Sequence, residues 1–332
     1  MILNAGTIGL KVAASVMLIA GMGSAQAACP APLADLACRQ TELRVTAADG
    51  HVMAGEVLLP GKGKRVPVMM LVSGTGRQSR DFEAFDGRYH PHRDIARALL
   101  AAGIGVIRFD ERNTGASTGD HKTARSADLQ MDVRMIFDRA AHVPGVDTRR
   151  MFLFGHSEGA IFAMQLAAQD PLVAGIALAG APWKSGREMT WDQIRIETPR
   201  PVGMRDADFE IWLRGKYDEE IRFQQSRPSL ADLLDYDGRA TAAGVRRPAL
   251  VLEALEDWQV RPPQGRQLAE AIHENGNRLV RYRALEGVGH LLTPNPAGVT
   301  DYTKLPGYSV DRRVLDALVD WVRFTSRKAG RP

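Results

Sequence analysis

Short apolar runs alternate along this chain with longer amphipathic stretches. Val66 to Val72 is a continuous apolar run. Gly105 to Phe109, Met151 to Phe154, Val173 to Ala179, Pro248 to Leu255 and Arg278 to Leu285 also read as strands. Such runs are typical of strands buried on both faces. Between them lie helical stretches: Arg93 to Ala102, closed by Gly103; Ser126 to Ala141; Glu158 to Gln169; and Gln264 to Glu274. Asp311 to Phe324 closes the chain with an amphipathic helix. This order predicts an α/β fold, a mostly parallel sheet with helices on both faces. Thr41 to Ala47 and Val52 to Leu59, joined at Asp49-Gly50, predict an antiparallel hairpin at one edge.

The alternation breaks once. From about 182 to 247 the chain is polar and Arg-rich, with helical patches, Trp183, Trp191 and Trp212, and no buried strand. The stretch is too long for a plain connection between the sixth and seventh predicted strands, so it reads as a cap. Its tryptophans could line a pocket or pack the cap onto the core.

The chemistry is concentrated at strand ends. Gly155-His156-Ser157-Glu158-Gly159 fits G-x-S-x-G, the tight strand-to-helix turn that exposes a serine nucleophile. A second match, Gly115-Ala116-Ser117-Thr118-Gly119, is unsurprising among 32 glycines. Context separates them. Ser157 follows a strand directly and opens an apolar-periodic helix, whereas Ser117 lies beyond its strand among polar residues. A serine hydroxyl needs a base. His273 falls inside a helix, whereas His290 follows the last strand in a glycine-rich loop. The preceding strand runs into Glu256-Asp257; the shorter Asp257 is the better acid, because it can accept backbone N–H bonds while facing the histidine. Ser157, Asp257 and His290 follow the expected chain order. The oxyanion hole is expected from the N–H of Glu158 and of Thr75 in Ser73-Gly74-Thr75-Gly76-Arg77, with Gly76 second to Thr75. His90-Pro91-His92 lacks the carboxylate partners of a metal site, and no metal or organic cofactor is implied.

The N-terminus carries one charge, Lys11, then the apolar run Val12 to Gly21 and Ala25-Gln26-Ala27, the pattern of a signal peptide over residues 1–27. That run is too short to span a bilayer. The expected mature chain, 28–332, is periplasmic or secreted. There Cys29 and Cys38 could form a disulfide. Net charge is +4, but no Lys/Arg block is interleaved with aromatics, which argues against nucleic-acid binding.

Together these residues resemble the α/β-hydrolase superfamily, and within it the bacterial esterase and serine aminopeptidase-like branch. Ser73 to Gly76 followed by Arg80-Asp81 is similar to that branch's Ser-Gly-x-Gly loop and Arg-Asp pair. Asp110 to Ser117 is similar to its D-x-R-G-x-G-x-S segment, with Asn113 in place of the usual glycine; Asn tolerates left-handed geometry. The resemblance makes Ser117 part of a structural turn. It implies an α/β-hydrolase fold and an ester hydrolase acting on a small molecule through an acyl-enzyme. A peptidase or amidase, a thioesterase or a lactonase on the same triad, and a ligand-binding homologue without catalysis, are the alternatives.

Overall fold

The computed structural model describes residues 27–61 and 64–329. The predicted signal segment therefore lies outside the described residues, apart from Ala27. A nine-stranded sheet runs through the molecule in the order β1-β2-β3-β5-β4-β6-β7-β8-β9. Its strands are β1 (Ala27–Ala28), β2 (Cys38–Thr46), β3 (Val52–Pro60), β4 (Val66–Val72), β5 (Gly105–Asp110), β6 (Val146–His156), β7 (Val173–Ala179), β8 (Ala249–Ala254) and β9 (Val280–Leu285). The first three strands and the β3–β5 contact are antiparallel; every pairing from β5 through β4 to β9 is parallel.

The helices α1 (Pro91–Ala101), α2 (Ser126–Ala141), α3 (Glu158–Gln169), α8 (Gln264–Glu274) and α9 (Arg312–Ala329) cover the sheet. The two-residue period of a strand sorts side chains onto opposite faces. Val68, Met70 and Val72 pack with Ile136, Phe137 and Leu268 of α2 and α8. Met69 and Leu71 pack on the other face with Ile95, Leu99, Leu318 and Trp321 of α1 and α9. The strand and helix bounds predicted for β4, α2, α3, β7 and α8 coincide with those observed.

Arg108 sits in the middle of β5 and is only 1% exposed. Its guanidinium is neutralised by Glu56 of β3 and by Asp81. Arg80 extends the network to Asp110 and Glu42. A buried charge persists only when so paired.

Between β7 and β8 the chain forms four helices, α4 (Gly186–Glu197), α5 (Asp206–Gln225), α6 (Pro228–Leu234) and α7 (Gly238–Gly244). The sequence count of six strands before this insertion becomes seven, because Ala27–Ala28 pairs with Arg39 and Gln40 at the sheet edge. Two alanines carry no strand period, so the sequence offers no sign of that strand. Cys29 and Cys38 are disulfide-bonded, with Cα atoms 5.2 Å apart, and hold the β1–β2 corner.

Candidate active site

The C-terminal ends of β4, β6, β7, β8 and β9 converge on one edge of the sheet, where open parallel sheets bind their ligands. β6 ends at His156 and α3 begins at Glu158, leaving Ser157 alone between them at φ 55° and ψ −119°. A non-glycine residue with positive φ is strained by roughly 1–3 kcal/mol and persists only where its surroundings enforce it. Here the Ser157 N–H donates to Ala179 O of β7 at 2.9 Å. The flanking glycines are required sterically. A Cβ on Gly155 would lie 2.3 Å from Gly159 O, and one on Gly159 would lie 2.3 Å from Ser73 O.

His290 and Asp257 meet in the loops after β9 and β8. His290 Nδ1 lies 2.8 Å from Asp257 Oδ2, and the two residues are 4% and 3% exposed. A carboxylate only accepts, so Nδ1 carries the proton and Nε2 is free to take one. The other carboxylate oxygen, Oδ1, accepts the N–H groups of Gln259 and Val260 at 2.9 and 2.8 Å. The short Asp side chain thus folds back on its own turn while facing the imidazole. Glu256, the alternative acid, accepts the Gly287 N–H at 2.7 Å and ties the β8 and β9 exits together.

Two residues that sequence reasoning passes over connect this pair to Ser157. His156, the residue before Ser157, packs its ring 4.8 Å from that of His290 and donates Nε2–H to the His290 carbonyl at 2.8 Å. Burial pushes the His156 pKa down to about 3, with the neighbouring His290 adding to it, so this ring is neutral. Gly180, at φ 55°, lets the chain pass beneath the pair; a Cβ there would lie 3.2 Å from His290 Cε1. The second position of G-x-S-x-G accepts any residue, so the motif gives no hint of His156's role.

Thr75 and Glu158 line the cavity into which Ser157 opens. Gly74 lies directly behind Ser157, where a Cβ would sit 3.0 Å from Ser157 Cβ. Glu158 also lines a small neighbouring cavity with Glu111, His121 and Asp132. Burial raises its pKa to about 7, opposed by a hydrogen bond from the Thr75 side chain.

Ser117 serves the turn. Its hydroxyl donates to Asp110 O at 2.6 Å and accepts from Ala54 N at 2.8 Å. His273, at the end of α8, contacts Arg278 on the surface.

The cavity over Ser157 measures about 270 Å³. Ile161, Met189, Leu233 and Val260 supply apolar wall, while Thr190, Gln193, Glu220 and Gln224 of α4 and α5 supply a polar one. None of the three tryptophans lines it. Trp191 packs on Tyr217 and Arg214 within the insertion, and Trp183 packs on the main core beside Arg239.

The comparisons agree with this architecture. The family model for serine aminopeptidase, S33, matches residues 68–202. A Variovorax paradoxus protein named "Putative carbamate hydrolase RutD" is 38% identical over 86 residues, covering 25% of this chain and 30% of that protein. The chain thus spans under a third of that relative. Among solved structures, the Pyrococcus furiosus esterase Pf2001 superposes with a TM-score of 0.61 at 15% identity, over 90% of this chain and 95% of that one. The esterase EaEST of Exiguobacterium antarcticum gives 0.54 at 15% identity, over 84% and 98%. The chain has the α/β-hydrolase fold.

Proposed function

We propose that the protein is a serine hydrolase that cleaves small carboxylic esters through an acyl-enzyme on Ser157. Ser157 Oγ attacks the ester carbonyl and passes its proton to His290 Nε2. Asp257 holds Nδ1–H and stabilises the imidazolium. The N–H groups of Thr75 and Glu158 receive the oxyanion, with the N-terminus of α3 behind them. Collapse expels the alcohol, which takes the proton from His290. Water then repeats the sequence against the acyl-enzyme and releases the acid.

The observation that carries this reading is the buried 2.8 Å Nδ1–Asp257 bond, packed against the strand end that presents Ser157 at positive φ. Replacing Ser157 by Ala should abolish p-nitrophenyl ester turnover and labelling by a fluorophosphonate probe. Retention of most activity would refute the assignment. An amide-cleaving enzyme on the same residues is the second reading, favoured by the serine aminopeptidase description of the matching family. Aminoacyl-p-nitroanilides set against p-nitrophenyl esters separate the two. We also place the protein outside the cytoplasm, in the periplasm or medium, on the strength of residues 1–27 and the Cys29–Cys38 bond. N-terminal sequencing of the mature protein tests that.

A further inference from the structure

A second cavity, also of about 270 Å³, opens beside the first and shares Thr75 and Leu230 with it. Its walls come from three separate segments: Thr75 to Arg77 after β4, His121 and Lys122 between β5 and α2, and Arg227 to Leu230 at the start of α6. Three of these residues are permanent cations, Arg77, Lys122 and Arg227. None of the three forms an ion pair among the described residues; Arg227 rests instead on the Phe223 ring at 4.9 Å. Elsewhere in the chain arginines are commonly matched with carboxylates, as Arg112 is with Asp132 and Arg125 with Asp232.

The grouping is held in place. Asp232 of α6 accepts the Ser126 N–H of α2 at 3.0 Å, and the Ser126 hydroxyl donates to Ser229 O at 3.1 Å. These bonds fix the wall that carries Arg227 against the segment that carries Lys122. Two carboxylates lie nearby without pairing to these cations. Asp120 Oδ1 is occupied by the Lys122 N–H, and Glu111, 3.9 Å from His121, is driven towards its neutral form by burial. The cavity over Ser157, by contrast, carries a carboxylate, Glu220, and uncharged amides. The two cavities therefore differ in sign across the Thr75 loop.

We propose that this cationic cavity is a subsite for an anionic group of the substrate, a carboxylate or phosphate carried on one arm of the ester, while the other arm occupies the cavity under α4 and α5. The inference rests on Ser157 being the nucleophile, because that places the scissile carbonyl beside Thr75, between the two cavities. Three unpaired cations around one concavity raise the local concentration of anions and hold carboxylate or phosphate oxygens by charge-assisted bonds.

The test uses the full protein and paired esters. Pentyl butyrate is compared with 4-carboxybutyl butyrate by pH-stat, and p-nitrophenyl butyrate with p-nitrophenyl hemiglutarate. The anionic ester of one pair should be preferred at least tenfold in kcat/KM. That preference should shrink as NaCl rises from 50 to 500 mM, and should fall tenfold in the Lys122→Gln/Arg227→Gln double variant. Preference for the neutral ester in both pairs, or an unchanged ratio in a double variant of unaltered melting temperature, overturns the proposal. Calorimetry of monomethyl glutarate and methyl phosphate on Ser157→Ala protein separates the two anions and needs no turnover. Binding lost in the added double substitution supports the subsite; no binding, or equal binding, overturns it. Failure of fluorophosphonate labelling refutes instead the role of Ser157.

Discussion

Replacing Glu158 by Gln isolates the effect of a carboxyl buried next to Ser157. Glu158 is 5% exposed, and its Oε1 has no hydrogen-bond partner. Burial lifts its pKa from an ordinary 4.5 to about 7. The folded protein therefore binds this proton more tightly than the unfolded chain does. Stability from the group is fully present below about pH 4.5 and is lost as pH rises through about 7. At about 1.36 kcal/mol per unit, the loss amounts to about 3 kcal/mol above pH 7. Gln keeps the shape and cannot ionise. Its advantage over wild type should be near zero at pH 4.5 and should grow to about 3 kcal/mol by pH 8. Urea unfolding of both proteins across that range measures the difference directly, because every other titrating group is common to both. Glu111 is the nearest complication. Its pKa is raised in the same direction by burial and, to a smaller degree, by Glu158, so the variant should also ease Glu111's ionisation. A stability difference that stays flat from pH 4.5 to 8, or that shrinks, refutes the reasoning.

Three further outcomes follow from the same geometry. Asp257→Asn keeps the bulk but removes the charge that, in the proposed mechanism, stabilises His290 as an imidazolium, and kcat for p-nitrophenyl butyrate should drop roughly 10⁴-fold with little change in melting temperature. Gly159→Ala forces a Cβ to within 2.3 Å of Ser73 O and should cost about 3 kcal/mol or more, read as a urea midpoint shift. The Cys29→Ser/Cys38→Ser pair opens a loop spanning nine positions and should lower stability by roughly 2–3 kcal/mol, seen in calorimetry as a fall in Tm, while ester turnover at 25 °C is unchanged.

Legibility in the sequence tracks how local each determinant is. α2 and α3 are readable to the residue because apolar periodicity and the elbow or proline boundaries lie within the segments themselves. β6 is readable only from Met151 onward. Its first half holds Asp147, Arg149 and Arg150, with both arginines paired to the buried Asp147 carboxylate, and its pairing to β4 shifts register between Val66 and Val68. Neither fact leaves an apolar run to read. The three candidate catalytic residues are legible for the same local reason, since each lies in the turn or loop that follows a strand the hydrophobic pattern reveals. The choice between Glu256 and Asp257 also falls to local chemistry, because only the shorter side chain reaches the N–H groups of Gln259 and Val260 in its own turn. The cationic cavity is the opposite case. Arg77, Lys122 and Arg227 are each ordinary surface cations in the sequence. They become one site only because Asp232 and Ser126, 106 positions apart, fasten α6 to α2. A loosened fastening, as in Asp232→Ala, should therefore weaken discrimination between charged and neutral esters while leaving the Asp257–His290 pair, held by β8 and β9, in place.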